Sequence, residues 1–249
     1  MADLAVVMPM AGRGSRFAKQ GIVQPKPLVD LAGRPFFWWA TESLRRVVPI
    51  REMVFVVLEE HVRDFRIDER IIEHYPGALV VRVPEVTSGA AETAAIGLRA
   101  LSTAGPVAIN DSDHAFRSPE LSRTADMLRE DIDGALLCFA SDSPAYSYVQ
   151  LNDGGGVIGT VEKRVVSSYA IAGCYLFSDP SLFLSLYGDY RLDCPYDEMF
   201  VSGIYNRLAA SGGRIEKIVA SRHVSFGTPE ELARVDQTAL QTGQDWLGP

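Results

Sequence analysis

Two glycines and two arginines in the run Gly12-Arg13-Gly14-Ser15-Arg16 follow a continuous apolar stretch, LAVVMPM, in this 249-residue chain. Glycines in such a loop let backbone N–H groups approach an anion, and the arginines add positive charge. No Gly-Lys-Ser/Thr follows and the spacing is not GxGxxG, so neither of those nucleotide-binding loops is present. A tight turn with solvated arginines accounts for the same residues. Ten positions beyond Arg16, Lys26 stands between Pro25 and Pro27, whose rings restrict the backbone on both sides. A cation held semi-rigidly suits a polyphosphate, while a solvated lysine in a proline-rich turn is the plainer reading. Asp111 and Asp113 follow the short apolar run VAIN, at a strand end of the kind where open α/β sheets bind ligands. Mg²⁺ takes one or two carboxylates together with phosphate oxygens and water, so this pair suits that ion. Helix capping or turn formation by Asp and Ser is the alternative.

These side chains need elements to hold them. Residues 4–10 read as a strand buried on both faces, 35–48 as a helix with Pro35 in its first turn, and 53–58 as a second apolar strand. The alternation continues with a helix at 62–74, a strand at 78–83, a helix at 89–101 and a strand at 107–110. A helix at 121–130 and a strand at 134–140 come next. The rhythm then changes, because 147–151, 157–161 and 170–177 are strand-like, the first two joined by the hairpin signal Asn152-Asp153-Gly154-Gly155-Gly156. A helix at 196–210, a strand at 215–219 and a last helix near 229–241 complete the chain. Val161-Glu162-Lys163 closes one of the later strands. Thr228, Pro229 and Glu231 have the spacing of an N-cap, a first helical residue and a capping-box acid. The expected fold is therefore α/β and Rossmann-like: a mostly parallel mixed sheet flanked by helices, with an antiparallel elaboration in the second half.

Composition excludes other classes. The chain is 47% hydrophobic and 22% charged, which requires a folded core, and its formal net charge of −8 comes without a long basic run. Nucleic acids and anionic membranes are not expected partners. Cys138, Cys174 and Cys194 are widely spaced and form no metal-binding cluster, which suits thiols in a reducing compartment. No signal-like start and no long apolar stretch is found, so a cytoplasmic location is expected. Phe36, Phe37, Trp38 and Trp39 read as core, with a homo-oligomeric interface left open.

Taken in order, PMAGRGSRF and PKPLVDLAGRP, then TSGAAET, NDSDH, VEK with AGCYLF, and GTPEEL make the chain resemble the nucleotidyltransferases that produce sugar nucleotides and related CDP- or UDP-activated metabolites. The run SYVQLNDGGGVIGTVEKRVVSSYAIAGCYLF resembles the short capsule-type and phosphonate-type cytidylyltransferases. The resemblance implies one nucleotidyltransferase domain over 1–249, with a nucleotide-binding half at 1–115 and an acceptor-binding half at 116–249. It implies Mg²⁺ as cofactor, CTP as the favoured nucleoside triphosphate, and a small phosphorylated or phosphonate acceptor. An acceptor oxygen would attack the α-phosphorus in line and expel pyrophosphate, with no covalent enzyme intermediate.

By that resemblance Met10, Ala11, Gly12, Arg13, Gly14 and Ser15 would form the loop around base and phosphates. Arg16 would sit on the triphosphate and Lys26 would stabilise the α-phosphate and the leaving group. Thr87, Ser88 and Gly89 match the base-recognition segment, where a missing side chain leaves room, and Ser112 joins the nucleotide site. Asp113 matches the magnesium aspartate, with Asp111 beside it. Lys163 matches the acceptor-phosphate lysine, and Gly173 lies where the chain passes close to the acceptor.

One position departs from the pattern. Ser225 stands where many members have a second metal-binding aspartate, two residues before Gly227-Thr228. This leaves His223, Asp111 or water to fill the place, and His223 otherwise reads as a surface or packing histidine. Other readings are a sugar-1-phosphate uridylyl- or thymidylyltransferase, a glycosyltransferase using Asp111-Ser112-Asp113 as a DxD, and a nucleotide-binding protein without turnover.

Overall fold

The strand Leu4–Met10 (β1) is apolar throughout and alternates between two layers. Ala5 and Val7 enter one core cluster, and Leu4 and Val6 enter another on the opposite face. The computed structural model describes residues 3–241. After β1 come a single helical turn at Ser15–Ala18 (α1), a 3-10 turn at Lys26–Leu28, a small hairpin of Asp30–Leu31 (β2) and Arg34–Pro35 (β3), and the helix Phe36–Arg45 (α2). Next are Ile50–Leu58 (β4), Glu59–Phe65 (α3), Ile67–His74 (α4), Leu79–Val83 (β5), Ala90–Arg99 (α5) and Val107–Asn110 (β6). β4, β1 and β6 lie side by side and parallel, and β5 extends the sheet beyond β4. This is the parallel half expected from the alternating pattern.

The second half begins with His114–Arg117 (β7), Glu120–Glu130 (α6) and Gly134–Ala140 (β8). Ser147–Leu151 (β9), Val157–Glu162 (β10) and Tyr169–Phe177 (β11) come next, then Pro180–Tyr190 (α7) and Val201–Ala210 (α8). Ile215–Val219 (β12), Arg222–Ser225 (β13), Pro229–Arg234 (α9) and Gln237–Gln241 (α10) end the described chain. β11 is the antiparallel centre of this half, pairing with β8 along one edge and with β6 and then β9 along the other. β9 and β10 form the expected hairpin, and β12 adds parallel to β8.

Helices cover both faces. α5, α7 and α8 pack on the Ala5–Val7–Val56 side, and α2, α4 and α6 on the other. Gly97 allows α5 to lie directly on the sheet, since a Cβ there would sit 2.5 Å from Val7 and 2.8 Å from Val56. Phe36, Phe37 and Trp39 are buried in this core and Trp38 packs against it, as expected for most of the aromatic run.

Several element boundaries differ from the sequence expectation. The helix expected over 62–74 is two helices, broken where Arg66 takes a left-handed conformation at φ 53°. Pro35 precedes α2 instead of opening its first turn, because it ends the β2–β3 hairpin. The helix expected from 196 starts at Val201, since Met199 is engaged elsewhere by its main chain. The last helix is split between α9 and α10. α7 is an addition to the expected elements, although Asp179 caps it and Pro180 opens it. The paired strands β7 and β13 are too short to stand out as a pattern.

Candidate active site

β1 and β6 are neighbours, but the chain leaves β1 toward β4 and returns to β6 from β5, so a crevice opens at their carboxyl ends. A cavity of about 610 Å³ occupies that crevice. It is lined by Met10, Ala11, Gly12, Arg13, Gly14, Ser15 and Lys26 from the first loops, by Thr87, Ser88 and Gly89, and by Asp111, Ser112 and Asp113. Residues far apart in the sequence are thus brought together.

The glycine loop is anchored by the helical turn on its C-terminal side. Phe17 in α1 is buried with Phe36 and Phe226, which pins the loop to the core. Gly14 lies against Lys26, where a Cβ would approach Lys26 Cβ to 2.9 Å. The 3-10 turn, closed by Leu28 N–H on Pro25 O at 2.9 Å, presents Lys26 inward. Arg13 lines the cavity, yet its guanidinium is paired with Glu60 at 3.0 Å on the exposed rim. Arg16 is exposed on α1 outside the lining, with its charge still felt at Lys26.

Lys26 Nζ donates to Asp113 Oδ2 at 2.8 Å. Burial works against the ammonium, but the charge of Asp113 and this hydrogen bond outweigh it, so the Lys26 pKa is raised. Burial also opposes ionisation of Asp113, yet Lys26 and His114 draw its pKa down to about 2. Asp111 behaves oppositely: burial and the negative charge of Asp113 push it up to about 8, only partly offset by Lys26. Near neutral pH the resting site therefore balances the Asp113 carboxylate with Lys26 and keeps Asp111 protonated, and a divalent ion would favour release of that proton and ionisation of both acids. The donor set fits Mg²⁺, because two neighbouring carboxylates beside a cavity with room for phosphate oxygens and water are what that ion uses. Among the described residues no group of three or more His, Cys, Asp or Glu side chains forms a closed metal cage.

Behind Asp113 the structure is polar and tightly tied. His114 Nδ1 and His223 Nε2 are 2.8 Å apart, and His223 stacks on Phe139 at 3.7 Å between ring centres. Burial and the neighbouring His114 hold the His223 pKa down at about 2. His223 is therefore a neutral packing histidine, and its Nε2 is already engaged. Ser225 pairs with His114 across β13 and β7. The GTPEEL turn forms the expected capping box between Thr228 and Glu231, and it packs on the site. Phe226 N–H donates to Asp113 O at 2.9 Å, and a Cβ on Gly227 would collide with Asp113 Oδ2. Glu231 also accepts from Tyr146 Oη at 2.5 Å.

The segment 87–89 differs from expectation in one respect. The space left by the missing side chain of Gly89 is filled by protein, since a Cβ there would lie 2.5 Å from Met199 N and 2.6 Å from Met199 O. Met199 N–H donates to Ser88 O at 2.9 Å, and Ala91 N–H donates to Met199 O at 2.8 Å. This main-chain strap carries Glu198 into the cavity lining. No sequence pattern signals Glu198 or Met199, because backbone pairing between segments so distant in the chain leaves no local mark.

Lys163 and Gly173 stand outside the cavity lining. Lys163 closes β10 in a left-handed conformation at φ 51°, donates its N–H to Tyr146 O at 3.1 Å, and rests its ammonium 5.1 Å from the centre of the Phe200 ring. Gly173 bulges from β11 at φ 67° and accepts the Asp111 N–H at 2.7 Å. A Cβ on Gly173 would lie 2.7 Å from His114 Cδ2 and 3.0 Å from Asp111 Cβ, so this glycine seats the acidic strand end.

Among the described residues no helix is long and apolar enough to cross a membrane. No curated protein matches the sequence significantly. Among solved structures, the nucleoside-diphosphate-sugar pyrophosphorylase from Vibrio cholerae RC9 is similar with a TM-score of 0.78 and 24% identity, over 92% of this chain and 98% of that one. The inositol-1-phosphate CTP transferase from T. maritima is similar with a TM-score of 0.72 and 16% identity, over 93% and 92%. At these identities the likeness establishes the α/β fold. The MobA-like NTP transferase domain matches residues 6–149, more than half of the sequence and including both the glycine loop and the acidic strand end. The chain belongs to the family of MobA-like NTP transferase domains.

Proposed function

We propose that this NTP transferase domain is a Mg²⁺-dependent cytidylyltransferase that moves CMP from CTP to a phosphate or phosphonate oxygen of a small acceptor. The observation that carries the reading is the Lys26–Asp113 pair at 2.8 Å, beside the glycine loop on the wall of one cavity at the sheet's switch point. The acceptor oxygen attacks the α-phosphorus, the bond from that phosphorus to the β-phosphate oxygen breaks, and pyrophosphate leaves. Gly12, Gly14 and Ser15 surround the phosphates and Arg16 meets them from the rim. Lys26 stabilises charge on the transferring and leaving groups, which is where preorganised cations contribute most. Asp113, with Asp111, would hold the metal, which when bound supplies charge neutralisation on the phosphate oxygens. Ser112 borders the nucleotide, and Thr87, Ser88 and Gly89 face its base. Lys163 binds the acceptor's anionic group, moving off Phe200 to do so.

The test is pyrophosphate release with Mg²⁺, supplying CTP, UTP, dTTP, ATP and GTP separately with pooled sugar phosphates, polyol phosphates, phosphonates and phosphoamino compounds. The expected result is release that depends on CTP and on one pool. A DxD glycosyltransferase would release no pyrophosphate from a free triphosphate. Nucleotide binding with silence over the whole panel would indicate a binding protein.

A further inference from the structure

The side-chain hydroxyls of the wall facing the base, and part of its main chain, are already committed. Ser88 donates its N–H and its hydroxyl to Glu92 Oε2, at 2.7 Å and 2.5 Å, and its carbonyl accepts from Met199. Thr87 Oγ1 lies 3.0 Å from Gly89 O and 2.6 Å from Thr93 Oγ1, and Gly89 O also accepts the Thr93 N–H at 3.1 Å. Residues 87–89 thus keep only main-chain groups, the N–H and carbonyl of Thr87 and the N–H of Gly89, to meet a base edge. Glu198 is different: it lines the same cavity, and its carboxylate makes no hydrogen bond or ion pair within the described residues. The main chain that carries it is held at the wall, because the adjoining Met199 makes two main-chain hydrogen bonds there and only a glycine at 89 permits that approach, while the exposed Glu198 side chain is free to meet a ligand.

We infer that Glu198 sets base specificity, accepting a hydrogen bond from the exocyclic amino group of the nucleobase and rejecting 4-oxo pyrimidines. An ionised carboxylate only accepts. The 4-amino group of cytosine donates, whereas O4 of uracil or thymine is an acceptor that would face Glu198 like against like. Such an unpaired encounter is a device for excluding the wrong ligand as much as for holding the right one. The inference rests on the nucleotide-binding reading of this cavity, and it deepens that reading by naming the chemistry that selects the base.

The test is equilibrium binding of CTP, UTP, dTTP, ATP and GTP with Mg²⁺ to the wild-type protein and to Glu198→Gln and Glu198→Ala, with thermal melting to verify folding. Wild type is expected to bind CTP more tightly than UTP or dTTP, and each variant to lose about tenfold or more of that ratio. Glu198→Gln is expected to gain UTP affinity, since its amide N–H can donate to O4. Tighter binding of ATP or GTP than UTP, lost in the same variants, would support Glu198 while contradicting the choice of CTP. A wild-type preference for UTP or dTTP, or a preference unchanged in both folded variants, would overturn the inference. Absence of binding to every nucleotide by wild type would overturn the nucleotide reading, and the inference with it.

Discussion

Lys26 Nζ and Asp113 Oδ2 are 2.8 Å apart, so a cation from the first loops and a carboxylate from the acidic strand end neutralise each other in the resting protein. On the proposed function, the triphosphate and the metal compete with this ion pair for its two partners. This arrangement keeps two charged groups poised at a cavity wall without leaving either one unpaired in a partly desolvated site.

Lys26→Met removes the cation and keeps the length of the side chain. Turnover is expected to fall by about 10²-fold or more, the scale typical of losing one transition-state charge partner. Steady-state pyrophosphate release, with circular dichroism to verify folding, measures it. Near-normal turnover in a folded variant would remove Lys26 from the chemistry.

Asp111 provides a test by pH. Its pKa of about 8 lies above the ordinary 3.8, so the folded protein holds a proton there that the unfolded chain releases. In metal-free buffer its contribution to stability is present below the unfolded value and is lost as pH rises through about 8. Asp113, drawn down to about 2, has the opposite sign: its contribution is present above 3.8 and lost only in strong acid. Asp111→Asn is therefore expected to gain on wild type in melting temperature between about pH 5 and about pH 8.5 in EDTA. An equal difference at both pH values would contradict the electrostatic assignment.

Gly89→Ala places a methyl group against Met199 N and O at 2.5 Å and 2.6 Å, in a backbone conformation of φ 150° that side chains rarely adopt. The strap must shift or the turn must strain, at a cost of about 1–3 kcal/mol. Urea denaturation is expected to report that loss, and nucleotide titration a weaker affinity. Wild-type stability together with wild-type affinity would mean that the strap is dispensable.

Lys163 lies apart from the nucleotide cavity, with its ammonium 5.1 Å from the Phe200 ring centre. Lys163→Ala is expected to raise the acceptor KM by about tenfold or more, while CTP binding measured without acceptor changes little. A matching loss of CTP affinity would place the lysine on the nucleotide instead.

Much of the molecule is legible in the sequence, for identifiable reasons. β1, β6 and β8 appear at the bounds read from apolar runs, because strands packed on both faces must be almost continuously apolar. The capping box at Thr228 and Glu231 is legible because its chemistry is local. The gathering of Gly14, Lys26 and Asp113 is expected from the strand-end rule together with the family resemblance. Residues positioned by distant backbone are not legible. Glu198 reaches the cavity through Met199 and Gly89, and Arg66 breaks a helix whose apolar spacing runs straight through it. Gly89 stands out in the sequence for the room it leaves, and the structure gives that room to the main chain of Met199.

Nucleotidyl transfer at Asp113 is tested by Mg²⁺-dependent pyrophosphate release from CTP by the wild-type protein and by Asp113→Asn, over the same acceptor pools. Wild type is expected to release pyrophosphate with one pool, an activity abolished by EDTA and reduced by about 10²-fold or more in a folded Asp113→Asn. Release that is indifferent to Mg²⁺ and to Asp113, or no release from any nucleoside triphosphate with any pool, would contradict it.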